Sequence, residues 1–162
     1  YNFYFVSSGS EVDVKNMLHL LENNEFKNKI NFVGEICLKE KFFKKHLEKI
    51  NFLGFVDNVN KLYSDKSSIF LIPRYFGLGI PIKFLECLKY NSKCLLFGNK
   101  EKFGIPSNFI TPIFYKKKSN NFEMHINSIN YLKVYREIYD YILDNNYKFL
   151  SKFRKEIKND NF

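Results

Sequence analysis

Short apolar runs recur along the chain and alternate with stretches of helical spacing. Most of these runs are followed by a glycine or another turn residue, and they comprise Asn2–Ser7, Lys29–Val33, Ile50–Leu53, Ser68–Ile72 and Cys94–Phe97. Strands that alternate with helices are typical of right-handed βαβ units around a parallel sheet. The pattern therefore predicts an α/β fold, a Rossmann-like three-layer sandwich with a mainly parallel sheet.

The segments between these runs show the three- and four-residue period of helices. From Glu11 onwards, apolar residues follow this period as far as Asn23, and a charged helix is predicted over Leu38–Leu47. Asp57 is expected to cap a short helix that continues through Tyr63. Pro81 is expected to open a helix that runs to about Tyr90, because proline is favoured at the first helical position.

The last third of the chain is less regular. Phe109–Tyr115 predicts a sixth strand, which Pro112 would confine to an edge of the sheet. Lys116–Asn121 is the best candidate for a mobile loop. Residues 121–158 are expected to be helical, with a break near Asn145-Asn146.

Length and charge restrict the possible partners. A chain of 162 residues fits a single domain, here residues 1–162, and its formal net charge is +9. This charge favours anionic partners such as nucleotides, phosphorylated lipids or membrane surfaces. The basic residues are scattered rather than gathered on one face, so a nucleic-acid partner is not expected.

The cysteine and histidine contents argue against disulfides and metals. Cys37, Cys87 and Cys94 are odd in number and have no CxxC spacing, which is typical of free thiols in a reducing, cytoplasmic compartment. His19, His46 and His125 lack the spacing of metal ligands, so no metal site is expected. No apolar run approaches membrane-spanning length. The chain begins without Met, directly in a predicted strand, and we expect a fragment of a longer protein.

The most informative stretch is Ile72–Glu86, which reads IPRYFGLGIPIKFLE. A predicted strand is followed by a turn with Gly77 and Gly79, and then by a helix. Glycines let a ligand approach the backbone closely, and the first turn of a helix offers unpaired N–H groups that suit a phosphate. Lys83 and Glu86 are three residues apart and share one helix face. One cation and one carboxylate are therefore expected at one spot, although two solvent-facing side chains would give the same pattern.

Other nucleotide-binding and nucleophilic signatures are missing. Ser7-Ser8-Gly9-Ser10 lacks the three-glycine pattern of dinucleotide-binding turns, and no Walker A sequence or nucleophile elbow occurs. The polar groups follow the fourth strand instead.

Residues 50–86 resemble the donor-binding, C-terminal domain of GT-B glycosyltransferases of the group 1, family 4 type. The resemblance rests on an ordered series of parts: Leu53-Gly54-Phe55-Val56, Leu62-Tyr63, Ile69–Pro73, and then the glycine turn with Lys83 and Glu86. The stretch after Arg74 is similar to the subgroup pattern R-x-G-x-G-x-x-x-K-x-x-E. The flanks fit more loosely, so the specific part of the resemblance ends near Leu96.

The resemblance implies a role for each matching residue. Glu86 would accept hydrogen bonds from the ribose hydroxyls of a nucleotide-sugar, and Lys83 and Arg74 would neutralise the leaving diphosphate as the catalytic cations. The remaining donor-binding positions implied are the backbone of Gly77, Leu78, Gly79 and Ile80 at the diphosphate, Phe55 and Val56 near the base, and Lys15 at a phosphate.

The sequence departs from the family at four places. The turn carries one residue more between Arg74 and Gly77 than the subgroup pattern has. Tyr75, Phe76 and Leu78 occupy the region in which many members carry an acidic residue that touches the transferred sugar, so no carboxylate is expected there. Ser8 replaces the arginine that usually accompanies the phosphate-binding lysine. Asn91 stands where a glycine usually ends the helix, although asparagine can also adopt the left-handed conformation.

The function implied by the resemblance is retaining transfer of a sugar from a nucleotide-diphosphate-sugar to a glycan or lipid acceptor. No cofactor and no obligatory metal are implied. The implied partners are the nucleotide-sugar donor, a missing N-terminal domain of the same protein, and a lipid-linked acceptor or the inner surface of a membrane. An alternative is an inactive domain of the same fold that serves as a binding or scaffold module. An unrelated α/β domain, flavodoxin-like or associated with nucleic acid, is a more distant alternative.

Overall fold

The chain folds around one parallel sheet. The computed structural model describes residues 1–23, 26–115 and 122–159, and the side chains of 122–123 and 147–159 lie outside that description. The five strands are β1 (Asn2–Val6), β2 (Ile30–Val33), β3 (Ile50–Gly54), β4 (Ser68–Arg74) and β5 (Lys93–Gly98). Their order is β3-β2-β1-β4-β5, and every neighbouring pair is parallel. The predicted α/β, Rossmann-like architecture is confirmed.

Helices cover both faces of the sheet. The α-helices are α1 (Glu11–Glu22), α2 (Val59–Ser64), α3 (Ile82–Tyr90), α4 (Ser107–Ile110), α5 (Phe122–Ser128) and α6 (Tyr131–Asn159). Three 3-10 helices, Glu35–Lys49, Lys100–Phe103 and Thr111–Ile113, complete the regular structure of the described residues. No described helix is both long enough and apolar enough to cross a membrane.

Aromatic side chains join the layers. On one face, Phe43 of the first 3-10 helix packs edge-on against Phe32 of β2, with ring centroids 5.1 Å apart. On the other face, Tyr63 of α2 stacks on Phe70 of β4 at 4.2 Å. β4 lies between β1 and β5, and its residues from Ser68 to Pro73 are all buried. A strand buried on both faces reads as a continuous apolar run, which is why β4 could be located from the sequence.

The predicted sixth strand is wrong. Only an isolated bridge joins Phe114 to Leu96 of β5, and the residues before it form α4 and a 3-10 helix. Pro112 lies in the first turn of that 3-10 helix, a position in which its missing N–H leaves no bond unmade. Proline here marks a helix start rather than an edge strand.

The predicted break near Asn145 is also wrong, because α6 continues unbroken through that position. The side-chain amide of Asn145 donates to the Tyr141 carbonyl 2.8 Å away, one turn earlier in the same helix. The interruption instead separates α5 from α6, at residues 129–130. The predicted loop Lys116–Asn121 lies outside the described residues.

Two helix starts differ by one residue from the expectation. Asn58, not Asp57, caps α2, and its side-chain oxygen accepts from the Lys61 amide. Pro81 is the residue before α3 rather than its first residue, with an extended ψ of 135°. The end of α3 follows the prediction, because Asn91 adopts the left-handed conformation with φ of 51°.

The outer edge of β5 is covered by hydrogen-bond donors. The Tyr135 hydroxyl donates to the Ser92 carbonyl at 2.5 Å, and the Tyr131 hydroxyl donates to the Cys94 carbonyl at 2.8 Å. The backbone amide of Tyr115 donates to the Leu96 carbonyl at 2.9 Å. Alternate carbonyls along this edge are therefore bonded within the chain.

Candidate functional site

A cleft of about 680 Å³ opens at the carboxyl edge of the sheet. It lies where the strand order reverses, between the ends of β1 and β4. Residues at the start of α1 and along α2 and α3 form its walls. Ligands of open α/β sheets bind outside the carboxyl ends of the strands at such a reversal. Four of the predicted site residues line the cleft: Arg74, Ile80, Lys83 and Glu86.

Lys83 lies on the first turn of α3, with only 17% of its side chain exposed. Its ammonium group is 2.9 Å from Oδ1 of Asp13 on α1 and lies over the Phe5 ring, 4.7 Å from the centroid. Burial lowers the pKa of Lys83, the Asp13 carboxylate opposes this lowering, and the nearby charge of Arg74 adds to it. The cleft thus holds a largely desolvated cation whose partner comes from another helix.

Asp13 is held in place from the other side by Ser7, the residue after β1. The Ser7 hydroxyl donates to Oδ2 of Asp13 at 2.6 Å and accepts from the Gly9 amide at 3.0 Å. Each carboxylate oxygen of Asp13 therefore has a partner. The residues before the glycine turn carry no carboxylate, but α1 places the carboxylate of Asp13 in the cleft.

Arg74 ends β4 and folds back over the glycine turn. One guanidinium nitrogen, Nη2, donates to the carbonyls of Leu78 at 2.5 Å and Gly79 at 3.2 Å. Its Nε is buried and has no partner among the described residues. Arg74 therefore shapes the turn and retains a free donor.

The glycine turn is fastened to α1 by Asn16. Oδ1 of this buried side chain accepts hydrogen bonds from the backbone amides of Tyr75 at 2.7 Å and Phe76 at 2.8 Å. Its Nδ2 donates to the Phe76 carbonyl at 3.3 Å. Buried backbone N–H groups are rarely left unpaired, so Asn16 satisfies a need that the turn itself cannot meet.

Both predicted glycines of the turn adopt conformations that other residues avoid. Gly77 has φ of 81° and Gly79 has φ of 91°. A Cβ at Gly77 would lie 3.3 Å from the Arg74 guanidinium and from the Val12 side chain, whereas a Cβ at Gly79 would meet nothing within 4 Å. At Gly77, both the positive φ and the close neighbours require glycine, whereas at Gly79 only the positive φ does.

The other end of the cleft is built around Glu86, one turn further along α3. Its side chain is 35% exposed, and its contact with Lys89 is long, at 3.8 Å. Asn60 and Tyr63 of α2 line the cleft beside it. The Glu86 carboxylate therefore lines the cleft without a close hydrogen-bonded partner among the described residues.

The remaining predicted residues do not line the cleft. Leu78 is 79% exposed on the turn, and Phe55, 67% exposed, follows β3 at the far edge of the sheet with Val56 beside it. Three strand spacings, or about 14 Å, separate β3 from β4. Lys15 projects from α1 and pairs with Glu11 at 2.7 Å. The backbone of Gly77 and Gly79 belongs to the turn but not to the lining.

Ser7, Asp13 and Asn16 were not predicted from the sequence. They lie 59 or more residues before the turn that begins at Tyr75, and no local pattern links them to it. One signal was present: Ser10 caps α1, and Asp13 stands three residues later, as an acidic residue does in a capping box. That pattern places a carboxylate on the first turn of a helix that starts at the carboxyl edge of β1.

Comparisons of the sequence with protein-family models and with curated proteins found no match. Within the described residues, no group of three or more His, Cys, Asp or Glu side chains is arranged to hold a metal ion. Only the residues of the cleft therefore indicate a function.

Proposed function

We propose that the cleft binds a nucleotide-diphosphate-sugar and that the chain is the donor-binding domain of a retaining glycosyltransferase. The observation that supports this most directly is the joint placement of Lys83 and Glu86, one turn apart on α3, in a single cleft at the reversal of strand order. One end offers cations and the other offers a carboxylate. A nucleoside diphosphate carries the complementary groups, which are phosphates and ribose hydroxyls.

The phosphate end has three sources of positive potential. Lys83 and Arg74 are cations, and the first turn of α3 adds amides that lack carbonyl partners within the helix. The amides of Phe84 and Leu85 already donate to the Pro81 carbonyl, so the amides without a partner in the described part of the chain are those of Ile82 and Lys83. In the proposed reaction, the bond between the sugar carbon and the diphosphate oxygen breaks, and these groups stabilise the charge that develops on the diphosphate.

The ribose end suits a diol. An ionised carboxylate accepts two hydrogen bonds at once, which matches two neighbouring hydroxyls. Glu86 is partly exposed and only loosely paired with Lys89, so a ligand can bind without breaking a strong contact. Asn60 lies within reach of the same space, with both donor and acceptor groups.

Transfer also needs an acceptor site. We propose that a second domain supplies it, and that the chain alone binds donor but transfers no sugar. A binding or scaffold module without turnover is the second candidate. It is favoured by the ion pair of Lys83 with Asp13, because Asp13 already neutralises the main cation that a phosphate could bind.

The test is a calorimetric and NMR titration with UDP, GDP, ADP and the free nucleosides. We expect saturable binding of one diphosphate by the wild-type chain and at least a tenfold loss in Glu86→Ala. Glu48→Ala is the matched control, because Glu48 is an exposed glutamate outside the cleft. Equal binding by Glu86→Ala and the wild type, or no binding of any nucleotide by a folded chain, would contradict the proposal.

A further inference from the structure

Among the described residues, Asp13 is the one acidic group that contacts Lys83, the cation proposed to bind phosphate. It lines the cleft, only 19% of its side chain is exposed, and it contacts Lys83 at 2.9 Å. The hydrogen bond from Ser7 fixes its second oxygen. An anion that binds to Lys83 must therefore come within a few ångströms of a fixed negative charge.

The repulsion from this carboxylate depends on the charge of the ligand. A terminal phosphate has a second pKa near 6 and carries about two negative charges at neutral pH, whereas a phosphate esterified on both sides carries one. A free nucleoside diphosphate is therefore more negative by about one charge than the same diphosphate attached to a sugar. In a partly buried cleft, one extra charge a few ångströms from a carboxylate changes affinity by about tenfold or more.

We propose that Asp13 determines which form of the diphosphate the cleft prefers. It disfavours the free nucleoside diphosphate relative to the sugar-esterified one, and so promotes release of the product after the sugar has left. This inference rests on the proposed function and adds a residue that the resemblance did not indicate. Lys83 and Arg74 attract the more negative free diphosphate more strongly, and Asp13 opposes that difference.

The experiment compares two ligands on three variants. UDP and UDP-glucose, with the GDP and ADP pairs as alternatives, are titrated into the wild type, Asp13→Asn and Asp13→Glu at pH 7.5. Glu11→Gln is the matched control, because it removes one negative charge from the same turn of α1 at an exposed position paired with Lys15. Thermal unfolding of each variant ensures that only folded protein is titrated.

We expect Asp13→Asn to bind the free diphosphate about tenfold more tightly and the sugar ester less than threefold more tightly. Asp13→Glu should keep the wild-type ratio, and Glu11→Gln should leave both affinities unchanged. If Asp13→Asn changes both affinities by the same factor, or lowers the affinity for the free diphosphate, then Asp13 acts only as the structural partner of Lys83 and the inference fails.

The two proposals fail in different ways. Suppose that nucleotide binding depends on Glu86, but that substitution of Asp13 leaves the ratio of the affinities for the sugar ester and the free diphosphate unchanged. This inference would then fail, and the proposed function would stand. Absence of binding by any of the nucleotides or esters to the folded wild type would remove both.

Discussion

The two ends of the cleft hold their charged groups in different ways. At the proposed phosphate end, Lys83 and Asp13 are each less than one-fifth exposed and are joined at 2.9 Å, with Ser7 bonded to the carboxylate. At the proposed ribose end, Glu86 and Lys89 are 35% and 63% exposed and lie 3.8 Å apart. The phosphate end is organised as the chain folds, whereas the ribose end is free to adjust to a ligand.

This difference has an energetic reason. A half-buried lysine without a partner is costly, so its counter-ion and the support for that counter-ion must be part of the fold. An exposed carboxylate is stabilised by water and needs no partner. Mutations at the phosphate end should therefore change stability as well as binding, and mutations at the ribose end should change binding alone.

Asn16→Ala should have the largest effect on stability. It removes the acceptor of the Tyr75 and Phe76 amides and leaves a small cavity, so we expect a loss of about 3 kcal/mol in the free energy of unfolding. Urea denaturation measures it. Asn145→Ala is the control, because Asn145 is exposed and bonds only within its own helix, and it should change stability by less than about 0.5 kcal/mol.

The pair Lys83→Met and Lys89→Met tests the comparison of the two ends directly. Lys83→Met leaves Asp13 without its cation, and we expect a loss of about 2 kcal/mol in urea denaturation. Lys89→Met removes an exposed contact and should cost less than about 0.5 kcal/mol. Equal losses would show that the two ends are not organised differently.

Alanine at the two glycines should separate backbone strain from crowding. Gly79→Ala meets only the strain of a positive φ, which costs about 1 kcal/mol. Gly77→Ala must also displace the Arg74 guanidinium or Val12, so its loss should be larger, at about 1.5 to 2 kcal/mol. If Gly79→Ala proves the more destabilising, the packing of the turn against Arg74 and α1 is not as described.

The smallest effect should be a pH dependence of stability. Because the pKa of Lys83 is lower in the folded chain than in the unfolded one, the folded chain releases this proton first as pH rises. In the window between the two values, just below the usual range of lysine, stability should rise with pH. Urea midpoints of the wild type and Lys83→Met across pH 8 to 10.5 measure the contribution, which should be missing in the variant.

The sequence was most informative where the determinants are local. All five strands were predicted, because each is a short apolar run that ends in a turn, and Lys83 and Glu86 could be placed together because they are three residues apart on one helix. In the last third of the chain, the predicted strand and the predicted helix break were wrong, because local preferences do not decide the structure there. Pro112 and Asn145 have local preferences for turns and breaks, but Pro112 fits the first turn of a 3-10 helix, and Asn145 bonds back to Tyr141 in a continuous helix.

The site could be predicted only in part, because its other half comes from α1. Asp13 and Asn16 reach Lys83 and the glycine turn across about 60 to 70 residues of sequence, and only the fold brings them together. A capping pattern at Ser10 marked the start of α1, but nothing in the sequence showed that its carboxylate would meet a lysine of α3.

The tyrosines that cover β5 also bear on how copies of the chain behave at high concentration. An edge strand with unpaired carbonyls can serve as a template for a strand of another molecule. At β5, the carbonyls of Ser92, Cys94 and Leu96 are already taken by Tyr135, Tyr131 and the amide of Tyr115. The long C-terminal helix α6, which supplies two of these donors, thereby protects this side of the sheet from edge-to-edge aggregation.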